Sequence, residues 1–133
     1  MDTDVFSEAA RAKPNANVIA WLRTNESSLY LSVVTIGELR RGIDRLPEGK
    51  RRDALLQWLG KVQDTMKGRV LSFNLSVANV WGQLKASWDA RGIVVPSLDS
   101  QIAATAQRYG LSLVTRNLRH FRNTGVPIVN PFD

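Results

Sequence analysis

The chain has 133 residues, 44% hydrophobic and 23% charged, an ordinary composition for a soluble domain with a real core. Eighteen Lys and Arg against twelve Asp and Glu leave a net charge of +6 and a pI near 10.3, a balance that suits polyanionic partners. The lack of cysteine excludes disulfides and thiolate chemistry. No apolar run is long enough to span a bilayer and no secretory leader opens the chain, so the cytoplasm is the expected compartment.

In chain order, Asp2 to Arg11 reads as a strand exit followed by a short helix. Pro14, Asn15 and Asn17 mark a turn and a cap. Val18, Ile19 and Leu22 then predict a short amphipathic helix ending near Thr24 and Asn25. Residues 29–33 read as an apolar strand, and 35–44 as a helix with Ile36, Leu39 and Ile43 on one side. Pro47-Glu48-Gly49 punctuates. Lys50-Arg51-Arg52 opens a longer helix whose Leu55, Leu59, Val62 and Met66 share a face, and Gly68 stops it.

Val70–Phe73 is a predicted strand, with Asn74 or Ser76 capping the helix beyond it. In that helix Val77, Trp81, Leu84 and Trp88 form one stripe, which suits core or subunit contact better than base stacking. Ser97 is expected to cap a further helix with Leu98, Ile102, Ala106 and Tyr109 on one face, ended by Gly110. Leu111–Val114 and Val126–Val129 complete the strands, with Pro127 favouring an edge or a strand start. Strands alternate with helices and no linker or repeat interrupts them. The expected class is α/β: one domain over 1–133, with a mainly parallel sheet covered by helices on both faces.

Asp2, Glu38 and Asn117 each follow a predicted strand, and Asp99 sits in the first turn of the helix before the last main strand. Parallel strands share a carboxyl edge, so the four side chains are expected in one crevice. Clustered carboxylates repel unless a cation neutralises them. Oxygen donors favour a hard ion such as Mg²⁺ or Mn²⁺, which activates water and stabilises charge on a phosphodiester. Each residue also has a plain structural alternative. Thr35-x-x-Glu38 is a capping-box pattern, Asp99 complements a helix dipole, Asp2 suits a cap and Asn117 a turn. Arg40 and Arg41, and beyond the last main strand Arg116, Arg119 and His120, are placed to grip phosphates. Arg45, Lys50, Arg51 and Arg52 read as a solvated helix start.

Five segments resemble PIN-domain ribonucleases, in order and over nearly the whole chain. These are Asp2-Thr3-Asp4-Val5-Phe6-Ser7-Glu8, Ser32-Val33-Val34-Thr35-Ile36-Gly37-Glu38-Leu39, Asp99-Ser100-Gln101-Ile102-Ala103-Ala104, Thr115-Arg116-Asn117 and Val129-Asn130-Pro131-Phe132. Within that family they look most like the VapC-type toxins of bacterial toxin–antitoxin pairs, in the FitB-like branch. The resemblance implies a three-layer α/β/α fold with a mainly parallel central sheet, and RNA cleavage dependent on Mg²⁺ or Mn²⁺. It also implies a homodimer in complex with a small antitoxin. By position, Asp2, Glu38 and Asp99 become the metal-site acids and Asn117 the fourth polar member, with Thr35 orienting the Glu38 end. The stripe with Trp81 and Trp88, together with the apolar faces of residues 18–22 and 55–66, is much apolar surface for a small domain, and some of it is expected to pair with a second copy or an antitoxin helix.

The chain departs from the family at two places. His120-Phe121 stands where many relatives have Asp-Phe, and only Met1 precedes Asp2 where relatives carry several apolar residues. A native start upstream, supplying the first strand, is the corresponding expectation. The alternative function is a basic RNA-binding or complex-forming PIN-like domain whose nuclease site is degenerate.

Overall fold

The computed structural model describes residues 15–25, 28–115, 121 and 123–131. Its first helix, α1 (Ala16–Asn25), is capped as expected by Asn15. The Asn15 Oδ1 accepts from the backbone N–H groups of Asn17 at 2.9 Å and Val18 at 3.3 Å. Those amides have no partner inside the helix, so the cap replaces lost hydration. The strand exit and helix expected over 2–11 lie outside the described residues, as does the first strand.

β1 (Leu31–Ser32) runs directly into α2 (Val33–Asp44). The helix starts two residues before the apolar periodicity suggests, because Ser32 is its N-cap and accepts from the Val34 N–H at 3.1 Å. Thr35-x-x-Glu38 is therefore not a capping box. Thr35 is in the first turn and fully buried, and Glu38 is in the second, not the first. Leu39 and Ile43 are buried as the spacing predicted, packing on Leu59 of α3 (Lys50–Thr65).

An ion-pair cluster also ties α2 to α3. Arg40 Nε donates to Asp44 Oδ2 at 2.9 Å, and Arg52 lies 3.6 Å from Asp44 Oδ1. The Arg40 hydrogen bond, partly opposed by lost hydration and aided by both guanidinium charges, holds the Asp44 carboxyl below its ordinary value of 3.8. A carboxylate with a depressed folded pKa stabilises the fold above its unfolded pKa, and the contribution disappears as pH falls through the folded value. The melting-temperature gap between the native chain and Asp44→Asn is therefore expected to be constant between about pH 5 and 7 and to close in acid below 3.8. A gap that widens on acidification contradicts the pairing.

Gly68, at φ 85, turns the chain out of α3, a backbone conformation that side chains with a Cβ resist. β2 (Val70–Leu71) then pairs parallel with β1, Leu31 opposite Val70 and Ser32 opposite Leu71. Asn74 caps α4 (Leu75–Ala90), accepting from the Val77 N–H at 3.0 Å. α5 (Ser97–Arg108) follows, and Gly110, at φ 65, ends that segment as predicted. β3 (Leu113–Val114) pairs parallel with β4 (Ile128–Val129). The Pro127 carbonyl accepts from Leu113 N–H at 2.7 Å, so proline stands at a strand start, where it gives up no donor to the ladder.

The sheet is parallel as expected, but its described strands are two residues long and fall into two pairs. Capping explains part of the shortening, since Ser32 already belongs to a helix start. A cleft of about 180 Å³ is lined by both pairs, with Tyr30, Ser32 and Leu71 on one side and Leu113, Val114 and Val129 on the other.

Besides the Leu39, Ile43 and Leu59 cluster, the described residues form two larger core clusters. Val18, Leu31, Met66 and Val114 anchor one, and Trp88, Ile102, Leu113 and Phe121 the other. α4 and α5 form the most extensive helix pair among the described elements. α5 is buried over five consecutive residues, Ile102 to Ala106. The middle of the helix is therefore interior while its two ends are exposed, and Ala103 and Ala106 join Trp88 of α4 in one core cluster. This corrects the expected single face. Leu98 and Tyr109 are 39% and 38% exposed, while Ala103 and Ala104 are wholly buried. Of the two uses expected for the tryptophan stripe, core or subunit contact, Trp88 takes the core. No described helix is long and apolar enough to cross a membrane.

Candidate active site

Of the residues expected at the site, Glu38, Asp99, Thr35 and Arg40 are described. Asp2, Asn117 and Arg116 lie outside the described residues. α2 packs against α5, which places Glu38 and Asp99 on neighbouring helices. Both side chains are half-buried. Thr35, fully buried, lies one turn before Glu38 on the same side of α2.

Asp99 is in the first turn of α5, where a negative charge is stabilised by the unpaired helix amides. The helix start differs from the expectation. Ser97 is its first residue and not its cap; Pro96 holds the N-cap position and contributes no side-chain bond. Ser100 holds the turn instead. Its backbone N–H donates to the Pro96 carbonyl at 2.8 Å, and its hydroxyl donates to the Ser97 carbonyl at 2.5 Å. The same hydroxyl accepts from Trp81 Nε1 at 2.9 Å. The sequence reading missed Ser100 and Trp81 as neighbours of Asp99. The available cue was a hydroxyl next to the acid, four residues after a proline that cannot cap.

Arg40, expected to touch substrate, is paired with Asp44 and lies on the exposed side of α2. A phosphate must compete with that carboxylate for it. Arg41 is exposed beside it.

Among the described residues no group of three or more His, Asp or Glu is placed to hold a metal. Two half-buried carboxylates nevertheless suit Mg²⁺, which keeps several waters and is commonly held by one or two carboxylates with substrate phosphates. The oxygen-only donor set is also the wrong one for a soft ion.

Residues 1–126 match the PIN domain family. The chain belongs to that family. Its relatives include VapC ribonuclease Y4jK of Sinorhizobium fredii, 38% identical over 135 residues, covering 100% of this chain and 96% of the relative. Toxin FitB of Neisseria gonorrhoeae is 34% identical over 134 residues, covering 99% and 96%. The crystal structure of FitAcB from the same organism superposes with a TM-score of 0.88 at 35% identity, over 98% of this chain and 96% of that one. The α/β fold with short parallel strands is thus a PIN fold, and the likeness to VapC and FitB toxins runs over the full length.

Proposed function

We propose that the protein is a cytoplasmic endoribonuclease, the toxin of a toxin–antitoxin pair, whose single PIN domain over 1–133 cleaves RNA phosphodiesters with Mg²⁺ or Mn²⁺. The observation that carries this reading is the packing of α2 on α5, which sets two half-buried carboxylates, Glu38 and Asp99, on neighbouring helices. The capping alternative for Glu38 has lost its support, since Ser32 caps α2. Asp2 joins Glu38 and Asp99 as a metal-site acid, with Asn117 as the fourth polar member. A hard divalent cation bound there supplies an activated water and positive charge against the scissile phosphate. Thr35 fixes the Glu38 side chain from within the core, while Arg40 and Arg116 hold the RNA backbone and keep it in register. A second copy and a small antitoxin are the proposed partners. The likeness to FitB and FitAcB supports them, and exposed Leu75 and Val94, at 80% and 87%, leave apolar surface for such contacts.

Total RNA incubated with the purified protein tests the reading. Cleavage is expected with Mg²⁺ or Mn²⁺, is abolished by EDTA, and returns when the metal is restored in excess. RNA binding without metal-dependent cleavage selects the alternative, a PIN-like binding domain with a degenerate site.

A further inference from the structure

α5 carries a site acid in its first turn yet begins at a residue that cannot cap it. Uncapped first turns fray, because their amides and carbonyls gain as much from water as from each other. Here the turn is held by a relay through Ser100, which has no exposed surface. The Ser100 hydroxyl has one proton, given to the Ser97 carbonyl, and a lone pair filled by the Trp81 indole N–H. The indole has a single donor, and this bond uses it. Trp81 is itself fixed on α4, its ring edge-on to Phe73 at a centroid distance of 6.4 Å and an angle of 74°. Because Ser100 adjoins Asp99, a rotation of this turn moves the Asp99 carboxylate with it.

We propose that Trp81 is a positioning residue for Asp99, acting through Ser100 to set how tightly the site holds a divalent cation. The proposal rests on Asp99 being a metal-site acid, as stated under Proposed function. Packing of Trp81 alone does not account for the arrangement. Its ring meets Phe73 edge-on without help from the N–H, whereas the N–H donates to the Ser100 hydroxyl, which also bonds within the Asp99 turn. Trp81→Phe removes the donor together with part of the indole ring, and the melting curve reads the packing share of that change. Ser100→Ala removes the acceptor from the other side and serves as the second variant.

The experiment is Mn²⁺ titration of the full chain by calorimetry, well below the melting temperature, with melting curves of the metal-free proteins in parallel. Trp81→Phe is expected to weaken Mn²⁺ binding about tenfold, the scale seen when outer partners of a metal ligand are removed. Ser100→Ala should do the same, and the double variant should be no worse than the stronger single one, since both act on one relay. A merely structural Trp81 lowers the melting temperature and leaves Mn²⁺ affinity within twofold of wild type, which overturns the proposal. Additive effects in the double variant also overturn it. Asp99→Asn is the control. Wild-type Mn²⁺ affinity in that variant overturns the Asp99 assignment and the proposal with it, whereas weak binding there beside wild-type binding in Trp81→Phe overturns the proposal alone.

Discussion

Asp99→Asn is expected to abolish metal-dependent RNA cleavage and leave the melting temperature almost unchanged. The two effects separate because the helix-dipole role and the proposed metal role of Asp99 differ in size. As a charge in the first turn of α5 it stabilises the fold by about 0.5 kcal/mol, which moves the melting temperature by about 2 °C. In the proposed role of metal oxygen, in a site of few carboxylates, it would be worth far more. Loss of outer partners alone costs metal sites about 10–100-fold, so loss of the ligand should cost about a hundredfold or more. Asparagine keeps the shape and suits a helix start, so refolding defects do not confuse the result. Glu38→Gln should follow the same pattern, since Ser32 and not Glu38 caps α2. Cleavage assays beside melting curves decide it: wild-type turnover in purified Asp99→Asn removes that residue from the site.

The largest expected loss of stability is at Trp88. The side chain has no exposed surface and packs among Val95, Ile102, Ala103 and Phe121. Trp88→Ala should cost about 3–5 kcal/mol, from lost burial and the void left behind. Its Nε1 is buried with no hydrogen-bond partner among the described residues, a penalty of about 1–3 kcal/mol that the native chain already carries. Trp88→Phe removes that penalty while giving up part of the ring, and the two changes nearly offset. It is expected within about 1 kcal/mol of the native chain. Urea midpoints of the three proteins check this. A phenylalanine variant as weak as the alanine one means that the indole N–H is paired in solution, as by a buried water.

Much of the molecule was legible before its structure. Asn15 and Asn74 announced two helix starts, because a carboxamide before an apolar period has few other uses. Gly68 and Gly110 announced the ends of two helical segments through the left-handed backbone they allow. The start of α2 was misread because Val33 and Val34 are β-branched and extend the apparent strand. The Ser32 cap outweighed that propensity. The buried girth of α5 was hidden because alanine fits any face of a periodic pattern, and only packing against α4 reveals which alanines are interior. A period likewise marks Trp88 as apolar without saying whether the core or a partner takes it. Glu38 and Asp99 were singled out by their motifs, and the packing of α2 on α5 sets them on neighbouring helices. The Trp81–Ser100 bond joins residues 19 apart, and no local rule encodes a side-chain pair of that kind.

The deep burial of α5 has a consequence for how the protein loses its activity. Parts of a fold that open early are those with few buried contacts, and a site built on them melts before the rest. Asp99 stands instead on the helix whose residues 102–106 form the middle of the core. Sub-global opening of the loops or of α1 leaves that helix in place. Only two events displace the acid: unfolding of the whole cooperative unit, or unravelling of one turn above Ser100. Heat and denaturant should therefore remove α5 in step with the core, and only fraying of its first turn should release Asp99 earlier.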